Sequence, residues 1–514
     1  MIQPIIVKFL VISTLFVGMI NLIVPFATKE DNPMRSFFLI ATSAFFLVNV
    51  LILDWMFLHG IDTSFTILYL GKYSLALHTE AFGMIFLTLL SVLWVCALLY
   101  TIKFLEINEI KNSSRFLFFL NSCIMIGSFI ALSANLLTMF VFYEILTLAT
   151  IPLIAHQGGE KVAQGLYRYL RILILNGFIL FLPAIIIIYA NIGHGDFTEG
   201  GFIDNTFSNK YVIVLLLMFI FGIAKAAVYP FHGWLPSAMV ASYPVSALLH
   251  AVVVVKTGLF CIYKILVYVF GISYLQIIFA SNNWLIFLPI ITILYSSVQA
   301  IRYTQVKMML AYSTINQLSV ALMSAFMLSQ KSMIAAVMHM VSHSFTKICL
   351  FYAAGNIYSV KNSYRIEELI GVHNTMPRTS FVLLIASLSL IGIPPFAGFI
   401  SKFYIMMAAA EQQNIIVMIT LAISSIFSAL YVMRMVIFIY RPASENKILH
   451  LKLKKYFDES MENKKSSKVI SANYKAETRL PLFMILSIAL CASGVIGFFL
   501  IQQGISKFLM FVTI

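Results

Sequence analysis

The chain reads as an all-α polytopic membrane protein with about fourteen transmembrane helices, and three observations predict this. Of its 514 residues, 61% are hydrophobic and only 11% are charged, with a mean hydropathy of +0.95; a soluble domain carries about a quarter charged residues. Crossing a bilayer takes roughly 20 apolar residues in a helix, and about fourteen such runs follow one another along the chain. Two of the runs are interrupted by Pro and Gly beside a lysine, near residues 230 and 395. Broken helices at corresponding places in the two halves are the pattern of a transport site built from inverted repeats.

The runs lie at 4–26, 35–58, 81–104, 115–133, 135–155, 168–191, 211–230, 244–269, 276–300, 305–328, 331–355, 378–410, 413–440 and 480–508. The first is read as a retained helix, since no small-residue cleavage site and soluble body follow it. The basic residues set an expected orientation with both termini outside. Lys111, Arg115, Lys161, Arg168, Arg171, Arg302, Lys307, Lys361, Arg365 and Arg378 then fall in inward loops. The largest outward loop carries Asp196, Glu199 and Asp204 against Lys210. The polar segment at 441–479, with Lys452, Lys454, Lys455, Lys464, Lys465 and Lys468, is then a cytoplasmic loop near anionic headgroups. Nucleic-acid binding is not expected despite a net charge of +14.

Several classes of chemistry are excluded. Cys96, Cys123, Cys261, Cys349 and Cys491 all lie inside apolar runs without metal or redox spacing and read as core residues. There is no Walker loop, and Gly193, Gly195, Gly200 and Gly201 lie in a polar loop between helices, so neither a nucleotide nor any other cofactor is expected. Any driving force comes from another subunit or an ion gradient.

The informative residues are five charges set within the runs: Glu144, Lys225, Lys256, Lys347 and Lys402. An ionisable group at the bilayer centre costs about 2.5–3.5 kcal/mol, so five of them mark function. Lys225 precedes Pro230 and Pro236, which remove backbone donors and break the helix; the alternative is a lysine snorkelling from a helix end. Pro394 and Pro395, with Gly392 and Gly398, break the second helix beside Lys402. A lone carboxyl at Glu144 either stays neutral through desolvation or finds a cation, and Lys225 is the candidate, forming either a protonation switch or a static ion pair. His339, His343 and Lys347 recur at intervals of four and share a helix face with Ser342 and Ser344 nearby. That row suits a proton relay, helix packing or a metal, although the helix offers no acidic third ligand and no metal is expected. His250 and Lys256 are six apart and point to different sides of their helix, so at least one of them serves packing or a water contact.

These residues stand in the stretches YEILTLATIPL (143–153), KAAVYPFHGWLP (225–236), PVSALLHAVVVVKTG (244–258), VKMMLAYSTINQLS (306–319), HMVSHSFTKICLFYAAG (339–355) and GIPPFAGFISKF (392–403). Together they resemble the antiporter-like family of proton-conducting membrane subunits shared by respiratory complex I and the multisubunit Mrp-type cation/proton antiporters. The resemblance implies two inverted five-helix repeats: helices four to eight over 115–269 and nine to thirteen over 270–440. Helices one to three would then occupy 1–114, the basic loop 441–479 and the last helix 480–514. It also implies an acid–lysine pair at Glu144 and Lys225, a central helix with His250 and Lys256, a continuing axis at His343 and Lys347, and a terminal lysine at Lys402. YEILTLATIPL and GFISKF are similar to the D-type subunit, whereas LHAVVVVKTG leans towards the A-type. Ser237, Ala238 and Met239 follow this tryptophan-leucine-proline word where many relatives have an acid, an alanine and a histidine, so the acid and the histidine are missing here.

The expected function is a proton-translocating subunit of a monovalent cation (Na⁺ or K⁺)/proton antiporter, working with other membrane subunits in a bacterial inner membrane. The alternative is the proton-pumping arm of complex I or of a membrane-bound hydrogenase. A third reading is a structural subunit whose charges only hold helices together.

Overall fold

The computed structural model describes residues 2–30, 32–61, 63–203, 207–442, 477 and 480–510. The lysines of the expected cytoplasmic loop, and Asp204, lie outside the described residues.

The helices are α1 (Ile2–Ala27), α2 (Pro33–Leu58), α3 (Ala81–Ile107), α4 (Ser113–Ala131) and α5 (Leu136–Ile154). Next come α6 (Glu160–Ile192), α7 (Asn209–Gly222), α8 (Tyr243–Phe270) and α9 (Ile272–Ile278). They are followed by α10 (Trp284–Arg302), α11 (Val306–Ala325), α12 (Gln330–Lys361) and α13 (Pro377–Ile391). The last are α14 (Ala397–Glu411), α15 (Ile415–Tyr440), α16 (Leu482–Ile496) and α17 (Phe498–Met510). Caps set several starts. Asn32 accepts from Met34 N ahead of Pro33, Asn135 accepts from Thr138 N, and Ser329 and Ser332 form a capping box before α12.

Among the described residues nine helices are long and apolar enough to cross a membrane unbroken, or ten if α16 and α17 count as one span bent by 63°. The protein is an all-α polytopic integral membrane protein. The final helix expected from the sequence is bent: α16 runs to Ile496 and is capped by Gly497, with a turn of chain direction before Phe498.

A second difference is a short antiparallel hairpin, β1 (Phe65–Leu70) and β2 (Tyr73–Leu77), in the connection between α2 and α3. Two largely apolar strands flank a two-residue turn, Gly71 and Lys72, in which Gly71 adopts φ +63°, a conformation such a turn uses. The hairpin is tied to the α4–α5 junction by Ala134 N to Ala76 O at 2.9 Å and Asn135 Nδ2 to Ser74 O at 2.9 Å.

α8 and α12 are buried along their whole spanning windows. A helix buried all round belongs at the centre of a bundle, and the polar groups within these two windows are therefore enclosed by protein. α2 and α15 are only 33% and 39% buried along their spanning windows, with apolar outer faces such as Trp55, Ile426 and Leu430 suited to lipid.

Candidate ion-translocation site

The first break begins earlier than the prolines predict. α7 ends at Gly222, eight residues before Pro230, and the chain runs through a 3₁₀ turn at Ala224–Ala226 in which Ala227 takes φ +58°. The freed backbone groups find partners, as a membrane interior demands. Trp234 Nε1 donates to Ala224 O at 2.9 Å, and Lys225 N donates to Tyr143 Oη at 3.2 Å. Pro236 sits inside the next short helix, Trp234–Ser237.

The turn buries Lys225 completely. Its Nζ donates to Tyr143 O at 2.6 Å and Thr147 Oγ1 at 2.7 Å and lies 3.2 Å from the Tyr143 ring centroid. The direct ion pair with Glu144 expected from the sequence is not formed. Tyr143 and Thr147 are four apart and share the face of α5 that meets Lys225, whereas Glu144 is rotated by about 100° from Tyr143. The Glu144 carboxylate instead occupies the space left by Gly177 in a π turn of α6, 2.0 Å from where a Cβ would stand. Its Oε1 has no hydrogen-bond partner.

In the centre, Lys256 of α8 and His343 of α12 meet with Nζ and Nδ1 2.6 Å apart. His343 and His339 stack with ring centroids 6.3 Å apart and planes 10° apart, and their Nε2 atoms are buried without a protein partner. His339 Nδ1 then meets Ser401 Oγ at 2.9 Å, and Ser342 Oγ donates to Ser401 Oγ at 3.0 Å. One turn along α12, Lys347 Nζ donates to Leu310 O at 3.0 Å and to Ser313 Oγ. His250 lies in a π turn of α8, its ring against Phe351 and neither nitrogen hydrogen-bonded.

The second break keeps the same logic. α13 ends at Gly392, which adopts φ +96°, and Pro394 and Pro395 turn the chain before α14. Lys402, next to Ser401, reaches back to donate to Leu390 O at 3.0 Å, Ile391 O at 2.9 Å and Ser425 Oγ at 3.1 Å. A cation on the last carbonyls of a helix satisfies both their lone pairs and the negative end of the helix dipole. The lysine lines a cleft of about 400 Å³ between α14 and α15.

The structure thus gathers Lys256, His343, His339, Ser401 and Lys402 into one buried line and sets Lys347 beside it. Lys225 and Glu144 stand on the other side of α8, where the absent Cβ of Gly258 lets α8 press against the Lys225–Ala226 backbone. Sequence reading missed an amide and hydroxyl network next to this line. Asn316 donates to Ser297 Oγ at 2.7 Å, Gln317 to Asn316 Oδ1 at 2.7 Å and to Ser428 Oγ at 3.2 Å, and Ser424 to Asn316 Oδ1 at 3.0 Å. Adjacent Asn and Gln inside an apolar run were its signal. Among the described residues no group of three His, Cys, Asp or Glu could hold a metal ion, and all five cysteines are buried and free.

A family model described as "NADH:quinone oxidoreductase/Mrp antiporter, TM" matches residues 133–428, which hold all five charges and both breaks. A Staphylococcus haemolyticus (strain JCSC1435) protein named "Putative antiporter subunit mnhA2" is 29% identical over 406 residues, 74% of this chain and 50% of that protein. Its namesake from Staphylococcus aureus (strain NCTC 8325 / PS 47) is 30% identical over 391 residues, 71% of this chain and 48% of that one. The chain spans about half the length of the curated relatives it matches. A chain of the solved Mrp complex from Dietzia sp. DQ12-45-1b shares the fold, with a TM-score of 0.80 over 100% of this chain and 98% of that one at 18% identity. The chain belongs to the NADH:quinone oxidoreductase/Mrp antiporter family of membrane proteins.

Proposed function

We propose that this protein is a proton-translocating subunit of an Mrp-type monovalent cation/proton antiporter, working with other membrane subunits in a bacterial cytoplasmic membrane with its termini outside. The observation that carries the reading is the Lys256–His343 contact of 2.6 Å between the two helices whose spanning windows are fully buried. A buried ammonium whose partner is an imidazole has a proton acceptor in contact with it, which a purely structural ion pair would not need. From there the stacked His339, Ser401 and Lys402 carry the line to the cleft at the second break. Buried imidazole nitrogens without protein partners call for water or a passing proton, and either serves transfer.

On the other side Lys225 and Glu144 act as a separable pair. Glu144 is held away by its own helix face, so pairing takes a local rearrangement, and that rearrangement is the charge shift that drives the next lysine. Lys225→Ala and Glu144→Ala are each expected to abolish cation-dependent proton movement in membrane vesicles while the complex still assembles. Normal transport by both variants would remove the pair from the mechanism.

The family description also covers redox-driven proton pumps. Co-purifying small membrane subunits support the antiporter, and co-purifying flavin or iron–sulfur subunits support the pump.

A further inference from the structure

The membrane-spanning core holds another pair of opposite charges beyond the five residues read from the sequence. Lys264, on the same helix as Lys256, is fully buried, and Glu80, the residue before α3, is 8% exposed. Lys264 Nζ lies 3.0 Å from Glu80 Oε2. The ammonium also donates to Ser133 O at 2.5 Å and sits 4.0 Å from the Phe197 ring centroid. Phe260 and Tyr268, at 5.6 and 5.9 Å, complete its apolar walls.

This pair stands at the hairpin end of the molecule. The loop holding Phe197 is strapped across the end of α8: Phe197 N donates to Ala134 O, and Phe202 N and Ile203 N both reach Val269 O, each at 3.0 Å. The crossing admits only glycine, because a Cβ on Gly271 would stand 1.9 Å from Gly200 O and one on Gly201 2.4 Å from Gly271 N. Outside the pair, half-buried His78 and exposed Glu199 lie within electrostatic reach of Glu80, and Cys261 within that of Lys264.

A purely structural buried pair persists by satisfying all its hydrogen bonds. Here Glu80 Oε2 touches the ammonium but accepts no aligned hydrogen bond. A carboxylate oxygen 3.0 Å from the ammonium nitrogen is within hydrogen-bond reach, so a small turn of either side chain aligns an N–H with it for transfer.

We propose that Glu80 and Lys264 form the proton-release station at the hairpin end of α8, with Phe197 as its dry cover; this rests on the proton-translocating reading above. In the step, an N–H bond of the Lys264 ammonium breaks and an O–H bond forms on Glu80 Oε2, giving a neutral amine and a neutral carboxylic acid. Glu80 then yields the proton to water on the side of His78 and Glu199, and the amine regains one proton from Lys256, relayed by water between the two lysines. The two lysines are eight residues apart, about 12 Å along a helix.

The test uses the whole complex in membranes. Infrared difference spectra after a cation jump are expected to show a protonated-carboxyl band that disappears in Glu80→Gln. Glu80→Gln and Lys264→Arg are both expected to slow cation-driven proton movement by on the order of tenfold or more, because arginine keeps the ion pair but does not release its proton. Should either variant fail to assemble, Phe197→Ala wets the station and is expected to shift the pH profile of transport with assembly intact. A Lys264→Arg complex that transports like wild type, no Glu80-dependent band, or an unmoved pH profile in Phe197→Ala each overturns the proposal. Lys256→Ala runs alongside: if it abolishes transport while the Glu80 and Lys264 variants transport normally, the release station fails and the wider reading stands. If Lys256→Ala transports normally, the wider reading fails first and takes the station with it.

Discussion

Gly258→Ala should disable transport without touching a titratable group. Gly258 lies two residues after Lys256, on the face of α8 that presses on the first helix break. A Cβ there would meet Ala226 N at 2.3 Å and the Lys225 carbonyl carbon at 2.4 Å, whereas ordinary contact begins at 3.4 Å. Both obstacles are backbone, so neither can swing aside. The 3₁₀ turn at Ala224–Ala226 must retreat from α8 by about 1 Å, at a cost of roughly 1–3 kcal/mol for overpacking. That turn aims Lys225 at Tyr143 O and Thr147 Oγ1, with bonds of 2.6 and 2.7 Å. A displacement of 1 Å in a positioned group reduces rate by about a hundredfold. The assay is cation-dependent dye quenching in inverted vesicles, beside a native-gel measure of assembly. Gly504→Ala is the control, since nothing lies within 4 Å of its would-be Cβ. Near-normal transport by Gly258→Ala, or an equal loss in Gly504→Ala, would refute the claim that α8 positions Lys225.

Three further outcomes follow from the same geometry. His343→Ala removes the group that meets Lys256 Nζ and should lower the transport rate by about 10²–10⁴, the usual contribution of a positioned acid or base, with assembly retained on a native gel. Ser401→Ala leaves His339 Nδ1 and Ser342 without their shared partner; at about 1–3 kcal/mol for an orphaned buried polar group, transport should fall roughly tenfold, measured in the same vesicles. Trp234→Phe loses the bond to Ala224 O and part of a fully buried ring packed on Tyr169 and should lower the thermal stability of the solubilised subunit by at least about 1 kcal/mol, read from its melting curve.

How much of this was legible in the sequence depended on whether a signal was compositional or geometric. The apolar runs and the lysines within them were visible because charge inside a run is rare. Lys264 carried the same signal inside the run at 244–269 but near its end, where a lysine usually snorkels to the interface. In the structure it cannot, because the loop at 195–203 closes over it. Glu80 stood just outside a run and looked like an ordinary helix start. The first break was legible through its prolines, but its true beginning at Gly222 follows from Trp234 donating to one freed backbone group and Tyr143 accepting from another, contacts that span 10 and 82 residues. The same distance in sequence hid the parting of Glu144 from Lys225. Spacing along one helix gives the face of each side chain, but not that a π turn elsewhere leaves Gly177 as the pocket for the carboxylate. The row of His339, His343 and Lys347 was legible as a face of α12; that Lys256 closes it required the crossing of α8.

The most direct measurement compares wild type with Lys256→Arg in purified complexes reconstituted into liposomes, following internal pH after a jump in external sodium or potassium. Arginine keeps the positive charge between α8 and α12 and gives up the ability to release a proton. Cation-driven pH change should vanish in Lys256→Arg while the complex stays intact; a wild-type rate of pH change in that variant would contradict proton passage along this line.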